Sequence, residues 1–240
     1  MSLFDPTIIP AECGTPEYID AVNKVIELLR ARKVLSISLV GVERTRNLVR
    51  SYIQAHIRRS LTFIEGGHAE FYSGRSLVAD ACARANYENV AAFCDFAKNL
   101  IPLLEAGDNA VIRKFVEMRA FATRIPSFVD KNGESNKAQN ILTQIDHMKK
   151  KYTGYREAYD HLSDIVHPNG LGAVVHFVSI DPATHVATFP GAGKNPNWAL
   201  ASLITSGFML AYMEIGIGDI EQSLANLKDD PCTSNAEWSA

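Results

Sequence analysis

The sequence predicts an all-α fold, a helical bundle of six to eight helices carrying a small β-hairpin in its C-terminal third. Three observations predict it. Apolar residues recur at helical spacing along most of the chain. The breaks between those runs fall at proline, glycine and asparagine. Only residues 174–189 carry a β-like pattern, with a turn in the middle. A hydrophobic content of 47% over 240 residues supplies one real core and excludes a disordered chain, so residues 1–240 read as a single domain.

Thr15-Pro16-Glu17 predicts the first helix start, with Thr15 as cap and Pro16 at the first helical position. Tyr18, Val22, Val25, Ile26 and Leu29 then repeat on one face. A second helix is expected over 38–64, with Leu48, Tyr52, Ile53, Ile57, Leu61 and Ile64 as its stripe and Gly66-Gly67 ending it. A third, rich in alanine and aromatics, is expected over 69–98, with Pro102 breaking the pattern, and a shorter one follows over 110–122. The polar run DKNGESNK (130–137) reads as an exposed loop. Helices over 137–151 and 155–166 come next, the latter stopped by Pro168-Asn169-Gly170. Residues 174–180 and 186–189 are β-like around the turn Asp181-Pro182-Ala183-Thr184. The apolar run 198–217, with Glu214 as its only charge, is long enough to span a membrane, but Ser202, Thr205, Ser206 and Gly207 favour a buried core helix. The tail after Asp229 reads as frayed.

A net charge of −3 and a pI near 6.2 argue against a DNA packager or general polyanion binder. Cys13, Cys82, Cys94 and Cys232 show no C-x-x-C spacing and suit a reducing cytoplasm. Met1 to Pro10 lacks the basic start and apolar run of a secretion signal, so a cytoplasmic location without membrane insertion is expected.

Polar chemistry concentrates between Tyr159 and Gly172. Measured from His167 at about 100° per residue, Asp160 and Arg156 fall about 20° away, Ser163 about 40° and Asp164 about 60°. His161 lies about 120° round and belongs to another surface. Histidine exchanges protons near neutral pH, a neighbouring Asp fixes its tautomer, and an Arg holds phosphate with a bidentate fork. Such a stripe could serve metal-free cleavage of RNA through its 2′-hydroxyl. The bland account is a solvent-facing stripe, with His167 at the helix C-terminus and Ser163 bonded back to the Tyr159 carbonyl. Arg156 and His167 are about 16 Å apart along the axis, so a site using both needs a dimer. Arg75, in Gly74-Arg75-Ser76-Leu77, is expected to pair with a carboxylate, Asp160 or Asp164; Asp80 and Arg84 lie further along its helix.

Arg75 in Gly-Arg-Ser-Leu, together with Tyr159-Asp-His-Leu-Ser163-Asp-Ile-Val-His167-Pro168, resembles an uncharacterised bacterial helical family distantly similar to the HEPN superfamily (higher eukaryotes and prokaryotes nucleotide-binding). That resemblance implies a helical-bundle homodimer. It also implies either a metal-independent endoribonuclease of a toxin or phage-defence system or a non-catalytic binding or scaffold module. In HEPN nucleases an arginine precedes the histidine by a few residues. His167 matches the histidine, but Asp160, His161 and Leu162 occupy the arginine positions, so Arg75 or Arg156 would have to serve. The catalytic set is then His167 as acid/base, Arg75 or Arg156 on phosphate, and Asp160, Ser163 and Tyr159 as supports, with RNA as partner and no cofactor or metal.

The remaining constellations are weaker. Seven histidines show no ligand spacing, and His176 and His185 are expected to face each other across the hairpin. Arg44, Arg46, Arg50, Arg58 and Arg59 make the second helix locally basic, a solvated face beside Glu43 and Glu65. Gly191-Ala-Gly193-Lys194 lacks phosphate-loop spacing.

Overall fold

The structure, a computed structural model, describes residues 2–123, 139–189 and 196–230. Eight α-helices lie among them: α1 (Pro16–Ala31), α2 (Arg44–Tyr72), α3 (Ser76–Ala106), α4 (Asn109–Ala120), α5 (Ile141–Lys149), α6 (Tyr155–Val166), α7 (Pro196–Phe208) and α8 (Leu210–Ala225). A two-stranded antiparallel hairpin, β1 (Ser179–Ile180) and β2 (Ala187–Thr188), pairs Ser179 with Thr188 and Ile180 with Ala187. The all-α bundle with a small hairpin is therefore what the chain forms. The loop at 130–137, the Gly191–Lys194 stretch and the tail at 231–240 lie outside the described residues.

The 31-residue α3 is the axis of the bundle, packed by α2, α4, α5, α6, α7 and α8. Its sequence explains the position. Ala79, Ala83, Val90, Phe93, Phe96 and Leu100 are buried on several faces, as a central helix requires. Thr15 caps α1 through a bond from the Tyr18 amide at 3.3 Å, and Val22, Ile26 and Leu29 are buried as their spacing predicts. The α6 boundaries are those expected from the sequence.

Two expected breaks are not breaks. Helix α2 runs through Gly66-Gly67 to Tyr72. Gly67 is buried at a helix crossing, where an added Cβ would meet Leu203 Cδ1 at 2.7 Å and Cys82 Cβ at 3.0 Å, so the residue serves close approach rather than termination. Helix α3 runs through Pro102. Pro102 and Lys98, whose carbonyl the proline leaves without a helical donor, are both exposed, so the gap in the helical ladder falls on the solvent side while Leu100 and Leu104 keep their burial. Gly107 then ends the helix in the left-handed region, at φ 75°.

Three other boundaries shift. Helix α2 starts at Arg44 rather than 38, and residues 73–75, expected to be helical, form the turn before α3. The segment expected to be a strand from 174 begins instead as a π-helical turn, Gly170–Val175, leaving two residues for β1. Gly172 permits this fold-back: a Cβ there would lie 2.1 Å from the His167 carbonyl oxygen. The Asp181 carboxylate accepts from the Ala183 amide at 2.8 Å and fixes the hairpin turn.

The apolar run becomes α7 and α8, which together span Pro196–Ala225 and pass a length-and-composition test for a membrane span. In this fold they pack on α1, α2 and α3, and Glu214 and Glu221 on α8 bond Arg32 and Arg50.

Candidate functional site between α3 and α6

Helices α3 and α6 run antiparallel, and their contacts fix the register. The Tyr155 hydroxyl donates to the Tyr87 carbonyl at 2.7 Å. One turn further along α6, Tyr159 is 3% exposed. Its hydroxyl accepts from Arg84 at 3.3 Å and donates to Glu88 at 3.1 Å, while the Arg84 guanidinium lies 5.5 Å from its ring centroid. Ser163 follows Tyr159 by one turn on α6, and His167 ends the helix in an extended conformation. Beyond His167 the π-helical turn doubles back, and His176 Nε2 lies 3.1 Å from the buried Ser76 hydroxyl.

The expected site residues divide between this seam and the surface. Tyr159 and Ser163 are in it. Ser163 does not bond back to Tyr159; its hydroxyl oxygen is buried with no partner among the described residues. Arg156 and Asp160 are on the outer face, where Arg156 Nε bonds both Asp160 oxygens at 2.8 Å and Nη1 reaches Asp146 at 2.6 Å. They share a face as expected, and two exposed carboxylates pair with the guanidinium. Arg75 caps α3 and pairs with Glu70 at the end of α2, not with Asp160 or Asp164, because the turn at 73–75 folds it back over its own approach. It is 58% exposed on its side chain. His167 is exposed, in extended conformation at the end of α6, and its side chain has no partner among the described residues. His161 does face elsewhere, with its ring 6.3 Å from Trp198 on α7.

The seam holds residues the sequence presented without marking them. Asp80 is 2% exposed; its Oδ1 has no partner among the described residues, and burial alone pushes the carboxyl up to about 7. Arg84 Nε and Ser163 Oγ are likewise buried and without partner among the described residues. A buried polar atom without a bond costs about 1–3 kcal/mol. Burial also lowers the His176 pKa, favouring its neutral ring. His176 and His185 do not face each other: the first is in the seam, and the second is in the hairpin turn at φ 56°.

Other polar clusters act on packing. The buried Asp95 carboxylate receives Arg119 and His147 at 3.1 Å each, tying α3 to α4 and α5. Of the arginines expected on a solvated α2 face, Arg58 and Arg59 are exposed, the first bonding the Val34 carbonyl and the second over the Phe63 ring, whereas Arg46 bonds Asp229 and the Leu227 carbonyl and Arg50 bonds Glu221. Two surface clefts lie away from the seam. One, of about 700 Å³, is lined by Glu105 and Asp219 near the ends of α3 and α8; the other, of about 710 Å³, is lined by His68 and Tyr72.

Fold and seam together define an all-α bundle with a polar interface between α3 and α6. No family model, no curated protein and no solved structure matches the chain.

Proposed function

We propose that the chain is a HEPN-like nucleic-acid-acting protein, a metal-independent endoribonuclease whose site lies at the end of the α3–α6 pair. The exposure of both residues supports this reading, His167 at the end of α6 and Arg75 at the start of α3. His167 would move the proton between the 2′-hydroxyl and the leaving oxygen, and Arg75 would hold the phosphate. The Arg75–Glu70 pair is solvent-exposed, so water and counterions weaken it and a phosphate can replace the carboxylate. Arg156 is not needed, which removes the argument that catalysis must cross a dimer; the homodimer rests on the family resemblance.

The second reading is a non-catalytic binding or scaffold module. It draws on the neutralisation of Arg75 and Arg156 by carboxylates within the fold.

RNA cleavage in EDTA, measured beside the mass in solution, separates the two. The wild type is expected to cleave, with His167→Ala and Arg75→Ala each reducing the rate by about 100-fold or more while folding normally. Absence of cleavage by the wild type, with His167→Ala altering only stability or assembly, would put the scaffold reading first.

A further inference from the structure

We propose that residues 34–40, in the loop between α1 and α2, are the surface by which two copies of this chain dimerise, pairing as antiparallel strands across a two-fold axis at Ile37. This pairing rests on the segment alone and does not depend on the nuclease reading.

The loop carries six aliphatic residues, Val34, Leu35, Ile37, Leu39, Val40 and Val42, and none of them enters the core. Leu35 is fully exposed, and Ile37 and Leu39 are half-buried. Residues 34–40 contain no charge, glycine or proline, and their valines and isoleucine favour a strand. Yet they form neither helix nor strand, and the amides and carbonyls of residues 35–40 make no hydrogen bond among the described residues. The loop is held at its two ends. Gln54 accepts the Val34 amide at 3.1 Å, Arg58 donates to the Val34 carbonyl at 2.6 Å, and the Val42 carbonyl accepts the Asp230 amide at 2.8 Å. An unpaired backbone run carrying aliphatic side chains is what a further strand adds to.

The order of the residues says which strand. Val34-Leu35-Ser36-Ile37-Ser38-Leu39-Val40 reads the same in both directions about Ile37. Across a two-fold axis each residue of an antiparallel pair meets the one equally far on the other side of that axis. Val34 then faces Val40, Leu35 faces Leu39, Ser36 faces Ser38, and Ile37 faces its own copy. Apolar side chains meet apolar ones, and hydroxyls meet hydroxyls that can bond across the pair. The charges fit the same register. Lys33 and Glu43 flank the segment, both exposed and without an ion pair among the described residues. Lys33 falls opposite Gly41, which has no side chain to intervene, and Glu43 of the other copy lies two positions beyond, within diagonal reach of a long side chain. Unlike charges therefore meet at both ends, whereas parallel in-register stacking would set Lys33 against Lys33. Two strands of this length bury less than the about 1,200–2,000 Å² of a standard interface, so the dimer forms and dissociates with concentration.

The test is the light-scattering mass of the full chain from micromolar to millimolar concentration. The wild type is expected to rise from the mass of one chain to that of two and to stop there. Ser36→Lys with Ser38→Lys sets like charges opposite each other twice, and is expected to weaken the dimer by about 10-fold or more. Ser36→Lys with Ser38→Glu sets unlike charges opposite each other and is expected to keep it. Both serines are exposed, so the two double variants should share the wild-type denaturation midpoint, which is measured beside the mass. A wild type that stays monomeric, a mass that grows past two chains, or a dimer that both double variants keep or both lose overturns the pairing. None of these outcomes turns on RNA cleavage.

Discussion

Two single residues give the protein an unusual balance of proton linkage. Asp80 keeps its proton in the fold up to about 7, against an ordinary value of 3.8. Between those values the native state binds more protons than the unfolded chain, so the contribution of Asp80 to stability falls as pH rises. His56 is half-buried against the Tyr52 and Phe93 rings, and desolvation lowers its pKa from 6.5 to about 4. There the unfolded chain binds more protons, so its contribution rises with pH. The two slopes oppose each other from about pH 4 to 6.5. Asp80→Asn is therefore expected to give stability that climbs through this window, and His56→Phe stability that declines towards pH 7. Each profile should depart from wild type by a few kcal/mol, on the order of two to three pKa units at about 1.4 kcal/mol each. Urea unfolding at a series of pH values checks this, and parallel profiles for all three proteins would refute it. At this scale the sequence was informative about identity and poor about partners. Tyr159, Ser163, His167 and Arg75 stand out as residue types, but nothing local says that Tyr159 meets Arg84 or that Ser163 turns inward while Asp160 turns out. Those choices follow from the register of a helix more than 70 positions away.

Helical periodicity revealed that the elements exist, because each helix must bury one face or more whatever its neighbours are. Their ends were less legible. Gly66-Gly67 and Pro102 carry the chemistry of termination, yet burial along α2 and α3 outweighs a local preference of about 1 kcal/mol per glycine and about 3 kcal/mol per proline. The adjacent glycines of α2 offer a direct comparison. A Cβ at Gly66 meets nothing within 4 Å, whereas one at Gly67 meets Leu203 and Cys82. Gly66→Ala should stabilise by about 0.5–1 kcal/mol through helix propensity, and Gly67→Ala should destabilise by about 1–3 kcal/mol through overpacking. Chemical denaturation of the two single variants measures this; equal effects would mean that α7 does not press on α2 as closely as described. The hairpin was half legible. Its turn follows from Asp181 and the residues after it, but the expected first strand coils into a π-helical turn, because Gly172 lets the chain cross the end of α6 where another residue would collide.

Across the whole molecule, Asp230, expected to begin a frayed tail, is pinned, while residues 231–240 lie outside the described residues. Asp230 is 8% exposed; its carboxylate accepts from the Thr45 amide at 2.7 Å and the Thr45 hydroxyl at 2.9 Å, and it pairs with Arg113. Its own amide donates to the Val42 carbonyl at 2.8 Å. Asp230 thus caps the start of α2 and ties it to α4. No local pattern could announce this, since the partners are 185 positions apart and an Asp followed by Pro and Cys reads as tail. Asp230→Ala leaves the Thr45 amide unmatched and Arg113 with only the Thr45 hydroxyl, and is expected to cost about 3 kcal/mol, read as a lower denaturation midpoint. A midpoint within experimental error of wild type would show that the clasp is dispensable. The clasp also bears on time as well as energy. Closing so long a loop is entropically slow, so this contact belongs to the native side of the folding barrier rather than to the nucleus. Weakening it should accelerate unfolding and leave the refolding rate nearly unchanged, making the Asp230 carboxylate a latch on the lifetime of the fold.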